Sequence, residues 1–327
     1  MDRVVVLGGT GFVGRHLADA FAAAGHDVLV VARHQVPTPH PFASFDVAAA
    51  TGPSFAAFLD GMEPDVVVDA TGSSWGLGDE EMTSRCLVPT RRLLAALRHV
   101  RLRPRVVHLG SVLEYGPVPP GTPVNHGSAP PETAYGKAKL AASTALLAAA
   151  GSGRADAVVL RLSNAIGPGM PGESLVGRVL RALRSAAPGE PAVVRLKPLE
   201  AHRDYLDVRD VAEAVVAAAV ADVSGQVLDI GSGKAVPVRD LVRLVVGSSG
   251  IPARIEEEPP ARRDWWATMS WIEVDPTRAR EVLGWRPRHD LGDTARWVWA
   301  GGDGGDAARQ AGSTGAVGRV PPDREHR

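Results

Sequence analysis

The stretch Val4–Leu17, VVVLGGTGFVGRHL, decides the fold. Val4 to Leu7 form an aliphatic run without polar alternation, the pattern of a strand buried on both faces of a parallel sheet. Gly8, Gly11 and Gly14 follow it. Helical periodicity then takes over in GRHLADAFAAAG until Gly25 stops it. Glycines between a strand and a helix let the backbone turn tightly and approach a pyrophosphate, whose charge the helix N-terminus favours. A lone G-x-x-G-x-x-G also serves ordinary turns. Its place at the opening of a βαβ unit is what points to a dinucleotide.

The same rhythm continues. RVVVLG, DVLVVA, DVVVDATG, RVVHLGS and DAVVLRLS read as buried strands, with helical patterns such as TRRLLAALRHV between them. The expectation is an α/β fold: a doubly wound, parallel Rossmann sheet over residues 1–166, which also receives segments near 203–232. After Asn164 the elements shorten, and residues 167–300 read mainly as a smaller mixed α/β C-terminal lobe that binds substrate. Residues 301–327 lack apolar periodicity and read as a disordered tail.

Among the 327 residues, 45% are apolar and 22% charged, which suits a soluble globular chain. Lys and Arg total 36 against 37 Asp and Glu. No net field invites nucleic acid or an anionic membrane, so a small molecule is the expected partner. The single cysteine, Cys86, rules out an internal disulfide and suits a reducing interior. A strand begins within three residues of Met1, leaving no room for a signal peptide, and no apolar run spans a bilayer; a cytoplasmic protein without membrane contact is expected. The histidines show no metal-ligand spacing, and no metal is expected.

Chemistry enters with AYGKAKLA, where Tyr135 and Lys139 stand four apart at a helix start and share one face. A phenol is a poor acid or base near neutrality. A neighbouring ammonium stabilises phenolate and shifts its pKa down toward the working range. By spacing alone the more common case is a tyrosine packed at a helix start and a solvated surface lysine. Ser111 favours the active reading, because it ends RVVHLGS at the carboxyl edge, where open α/β sheets bind ligands.

These motifs, with GSVLEYG, LRLSNAIGPG, HRDYLDVRDVAEA, VLDIGSG and DPTRAREVLGWRP in the same order, resemble the extended short-chain dehydrogenase/reductases of the NAD(P)-dependent epimerase/dehydratase family, which act on nucleotide sugars. The resemblance implies Ser111, Tyr135 and Lys139 as the catalytic residues. It implies cofactor contacts from Gly8, Thr10, Gly11, Phe12, Val13 and Gly14, from Arg33, from Asp46 and Val47, from Ala70 and Thr71, and from Tyr135 and Lys139. Asp46 reads equally well as an acid capping its own turn. For substrate it implies Ser111, Asn164 and Arg203, with Trp75 and either Arg262 or Arg263 from loops over the site. Asn164 is otherwise a turn residue, and Arg203 an ion pair with Asp204 or Asp207. Trp265 and Trp266 stack on substrate or belong to the lobe core. Cys86 stands where the family usually has asparagine. Relatives often dimerise through helices that include the one carrying Tyr135, so a homodimer is expected.

Sugar dehydratases of this family place an Asp-Glu pair directly after the catalytic hydroxyl, because eliminating water needs a separate acid and base. Val112 and Leu113 hold those places here, and Glu114, one position late on an extended strand, should face the other way. Arg33 replaces the acid that usually ends the second strand in NAD users; a guanidinium pairs with a 2′-phosphate through charge-assisted hydrogen bonds. Arg15 is a second candidate for that phosphate. NADP(H) is therefore the preferred cofactor, with NAD(H) still allowed. The leading expectation is an NADPH-dependent reductase of a nucleotide-linked keto-sugar, of the dTDP-4-keto-6-deoxyhexose 4-ketoreductase type. A nucleotide-sugar epimerase with NAD, a reductase of a non-sugar carbonyl and a non-catalytic NADP-sensing protein remain as alternatives.

Overall fold

The computed structural model describes residues 2–72, 76–259 and 269–301. Trp75, Arg262, Arg263, Trp265, Trp266 and the tail after Gly301 lie outside the described residues. The chain runs through β1 (Arg3–Leu7), α1 (Phe12–Ala23), β2 (Asp27–Ala32), β3 (Phe42–Ser44), α2 (Gly52–Met62), β4 (Val66–Asp69), α3 (Asp79–Ala96), β5 (Arg105–Ser111), a 3-10 turn (Val112–Glu114), α4 (Ala134–Gly151) and β6 (Asp156–Leu162). It continues through β7 (Asn164–Ile166), α5 (Leu175–Arg184), β8 (Ala192–Leu196), β9 (His202–Asp207), α6 (Val208–Val220), β10 (Val227–Ile230), β11 (Ala235–Pro237), α7 (Val238–Ser249), β12 (Ala253–Glu257), α8 (Thr277–Leu283) and α9 (Leu291–Ala300).

Seven strands form one parallel sheet in the order β10-β6-β5-β4-β1-β2-β3. This is the doubly wound Rossmann arrangement expected from the valine-rich runs. α1 and α6 cover one face, where Leu17 and Phe21 meet Val211 and Val215; α2, α3 and α4 cover the other, with Phe55, Leu59, Leu93 and Leu146 in its core. Each such side chain contributes roughly 1.5–3 kcal/mol on full burial, so both faces of the sheet are firmly held.

Strand order reverses between β1 and β4, which opens a crevice at their carboxyl ends. Register brings Leu7 beside Asp69, Asp69 beside His108, and Ser111 beside Leu162. These strand ends line one edge. Of the stretch near 203–232, Val227–Ile230 joins this sheet, but His202–Asp207 does not. It pairs instead with β7 and β11 in a three-stranded mixed sheet, while β8 and β12 form a parallel pair. A third apolar cluster, including Val179, Leu183, Val194, Leu241 and Val298, is the core of this smaller part.

Candidate active site

The glycine loop has the shape its composition implies. Gly8 is left-handed (φ 74°), and a Cβ there would stand 2.8 Å from the Ala70 carbonyl oxygen. A Cβ on Gly14 would stand 2.2 Å from the Gly8 carbonyl oxygen, so only glycine lets α1 close over the loop. α1 begins at Gly11 without a side-chain cap, leaving its first amides to a ligand. This cradle fits a dinucleotide pyrophosphate. Val13 packs on the core and Phe12 meets the ring of His16 edge-on, 5.8 Å between centroids.

Neighbouring strand ends extend the site on both sides. Arg33 follows β2, exposed, and its guanidinium has no partner among the described residues; only its carbonyl is engaged, by Ser44 Oγ at 2.9 Å. Asp46 caps its own turn, accepting from the Ala48 and Ala49 amides (3.0 and 3.2 Å), with Val47 buried beside it. Arg15 is otherwise occupied than its phosphate reading suggests: Nη2 donates to the Gly169 carbonyl at 2.5 Å, tying α1 to the loop after β7. On the other side, Ala70 touches the glycine loop and Thr71 accepts a hydrogen bond from Lys139 Nζ (3.0 Å).

Lys139 donates also to the Leu109 carbonyl (2.8 Å) and is 3% exposed. Burial works against its charge, but Tyr135, Cys86, Asp69 and Glu114 outweigh this and raise its pKa above that of an ordinary lysine. Tyr135 sits in the first turn of α4, whose N-cap Thr133 accepts from the Gly136 amide at 2.9 Å. Burial raises the pKa of its phenol, and Lys139 and Ser111 both act against that rise. Gly136 lets the helix start lie close to the end of β5: a Cβ there would stand 2.0 Å from the Leu113 carbonyl oxygen, so glycine lets α4 press against the turn after Ser111.

Two expectations are corrected. Lys139 does pull the phenol's pKa down, but burial outweighs it and the Tyr135 pKa lies above that of free tyrosine. At neutral pH the residue is a protonated acid. Glu114 does not continue a strand with its side chain on the opposite face. β5 ends at Ser111, whose hydroxyl accepts from the Leu113 amide (3.2 Å) and starts the 3-10 turn. Glu114 folds back beneath it, accepting from the Ser111 amide (2.9 Å), Ser143 Oγ (3.0 Å) and Arg161 Nε (2.8 Å). It is a buried support, with its oxygens already engaged.

Cys86, where the resemblance expects asparagine, is fully buried on α3. Its Sγ and Lys139 Nζ each lie 3.2 Å from where a Cβ on Gly72 would stand. In the smaller part, Asn164 Nδ2 donates to the Asp204 carbonyl (3.0 Å), which holds β7 to β9. Arg203 is 8% exposed, and burial lowers its pKa. Among the described residues it pairs with neither Asp204 nor Asp207. Asp204 accepts from the Ser232, Gly233 and Val274 amides, and Asp207 pairs with Arg209 at 2.7 Å. Among the described residues the Arg203 guanidinium donates only to the His202 carbonyl, at 2.8 Å.

A pyrophosphate cradle that leads to a serine, tyrosine and lysine at the carboxyl edge of a Rossmann sheet defines a nicotinamide-dinucleotide-dependent oxidoreductase. Residues 4–231 match the NAD dependent epimerase/dehydratase family, and the chain belongs to it. It is an enzyme of the extended short-chain dehydrogenase/reductase type. A dTDP-6-deoxy-L-talose 4-dehydrogenase (NAD(P)(+)) from Kitasatospora kifunensis is 42% identical over 91% of this chain and 94% of its own length. A GDP-6-deoxy-D-mannose reductase from Pseudomonas aeruginosa is 26% identical over 91% and 96%. The structure of UDP-glucose 4-epimerase from Thermus thermophilus in complex with NAD shares the fold, with a TM-score of 0.79 at 24% identity over 93% of this chain and 99% of that one.

Proposed function

We propose that the protein is an NADPH-dependent reductase of a nucleotide-linked keto-sugar, with a dTDP-linked 4-keto-6-deoxyhexose as substrate. The observation that carries this reading is Arg203, a buried guanidinium with no carboxylate partner among the described residues. A buried cation without an anion is costly, and a diphosphate supplies the anion. The similarity to an enzyme named for oxidation at C4 of a dTDP-6-deoxyhexose supports the sugar, since ketone reduction at C4 is that step in reverse.

When bound, the reduced cofactor supplies a hydride to the carbonyl carbon. Tyr135 gives its phenolic proton to the carbonyl oxygen, and its raised pKa keeps that proton in place until hydride arrives. Ser111 holds the oxygen. Lys139, gripped by two carbonyls, would stabilise the phenolate that forms and help hold the cofactor ribose when it is bound.

Incubation of the purified protein with NADPH or NADH and a panel of nucleotide-linked 4-keto sugars, followed by nicotinamide absorbance, tests the reading. Consumption of NADPH with a dTDP-linked 4-keto-6-deoxyhexose is expected; absence of turnover with every panel member would sink it. Arg203→Ala should raise the KM for that substrate roughly 10–100-fold, the worth of a charge-assisted contact, with a smaller change in kcat. A KM unchanged by this substitution would favour a non-sugar carbonyl.

The cofactor choice has its own test. Arg33→Asp removes a donor and adds a charge that repels a 2′-phosphate, so NADPH affinity should fall about 10–100-fold while NADH affinity changes little. Equal losses for the two, measured by titrating nicotinamide fluorescence, would remove the argument for NADPH.

A further inference from the structure

β4 is VVVD, three buried valines followed by a carboxylate only 1% exposed. Asp69 accepts four hydrogen bonds there. Oδ1 takes the Thr71 amide (3.2 Å) and Thr71 Oγ1 (2.5 Å); Oδ2 takes Thr90 Oγ1 (2.8 Å) from α3 and His108 Nδ1 (2.9 Å) from β5. The two carbonyls that clamp Lys139 belong to Thr71 and Leu109, and Leu109 is the residue next to His108. Asp69 therefore grips one of these residues directly and the neighbour of the other.

From this geometry we infer that Asp69 is a positioning residue for Lys139, fixing the carbonyls that hold the ammonium and supplying the buried negative charge opposite it. The charged and titratable groups facing Lys139 are Tyr135 on its own helix, Cys86 on α3, Asp69 on β4 and Glu114 after β5. Glu114 is already compensated by Arg161. His108 Nδ1 lies 2.9 Å from the Asp69 carboxylate, and its Nε2 is buried without a partner among the described residues. Burial opposes the charge of Asp69, yet His108, Lys139 and Thr71 hold its carboxyl well below the usual carboxylate range. It is an anion throughout the pH range in which the enzyme would work.

The inference rests on nicotinamide-dinucleotide binding and is independent of which sugar is reduced. If the Lys139 ammonium helps hold the cofactor ribose, affinity is lost as pH rises through the lysine's pKa. NADPH binding, followed by nicotinamide fluorescence from neutral to alkaline pH, shows this limb, and Lys139→Met assigns it by abolishing it. Asp69→Asn keeps the side-chain shape and removes the charge, so the limb should move about one pH unit lower. Thr90→Val removes one donor but leaves the carboxylate, and the limb should stay in place. A limb unmoved in Asp69→Asn overturns the inference, and so does an equal displacement in Thr90→Val, which would reduce the role to packing. Should Asp69→Asn fail to fold, Asp69→Ser, equally uncharged and smaller, carries the same expectation.

Discussion

Tyr135→Phe should lower kcat about 1000-fold, within the range general acid catalysis contributes, and leave NADPH affinity within a few-fold of the unaltered protein. The ring stays, so the contact of α4 with the turn after Ser111 is kept. Lys139 is held by the Thr71 and Leu109 carbonyls, neither of which involves the phenol. What disappears is the acid. A hydride can still reach the carbonyl carbon, but the alkoxide that forms has only the Ser111 hydroxyl to steady it. The split between kcat and cofactor affinity separates this from general damage to the site. Lys139→Met, by contrast, should weaken both. Steady-state reduction and fluorescence titration on the same preparations measure the two quantities, and a kcat within ten-fold of the unaltered protein would deny Tyr135 the role of proton donor.

The features legible in the sequence are those that lie within one element or at one junction. The glycine loop, the strand ending in Ser111 and the helix-spaced Tyr135 and Lys139 are local patterns with a fixed period, and the structure brings their residues together along one edge. Supports from elsewhere in the chain were not legible. Asp69 draws on Thr90 and His108, 21 and 39 residues away, while Thr71 meets Lys139 across 68. No spacing rule connects such positions; the only hint is a carboxylate ending an otherwise aliphatic strand. Gly136 looks like a mild flaw in a helix until the Leu113 carbonyl is seen to need the space. The place of Glu114 is hidden from a strand pattern because the Ser111 hydroxyl turns the residues after β5 into a 3-10 turn. The segment His202–Asp207 has the burial of a sheet strand, and which sheet it joins depends on partners that local pattern does not reveal.

Glu114→Ala should cost about 3–5 kcal/mol of stability, the usual penalty for removing one partner of a buried ion pair. The carboxylate side chain is wholly buried and Arg161 is 12% exposed, so little solvent screening weakens the pair. Its loss leaves the Ser111 amide, the Ser143 hydroxyl and a guanidinium without their acceptor. Arg161 also lies 4.4 Å from the centre of the Tyr115 ring, and Tyr115 OH donates to Asp229 at 3.0 Å, so the disturbance reaches from β6 to β10. Domains are stable by only about 5–15 kcal/mol, and the loss should appear as a large fall in the urea midpoint at pH 7. Activity should fall as well, because the Ser111 amide is what Glu114 anchors at the head of the turn. Glu114→Leu with Arg161→Leu removes both charges and should regain much of the stability without the activity, since apolar side chains fill the space but leave that amide unheld. A double variant no more stable than Glu114→Ala would show that the pair's electrostatics are not what holds this turn in place.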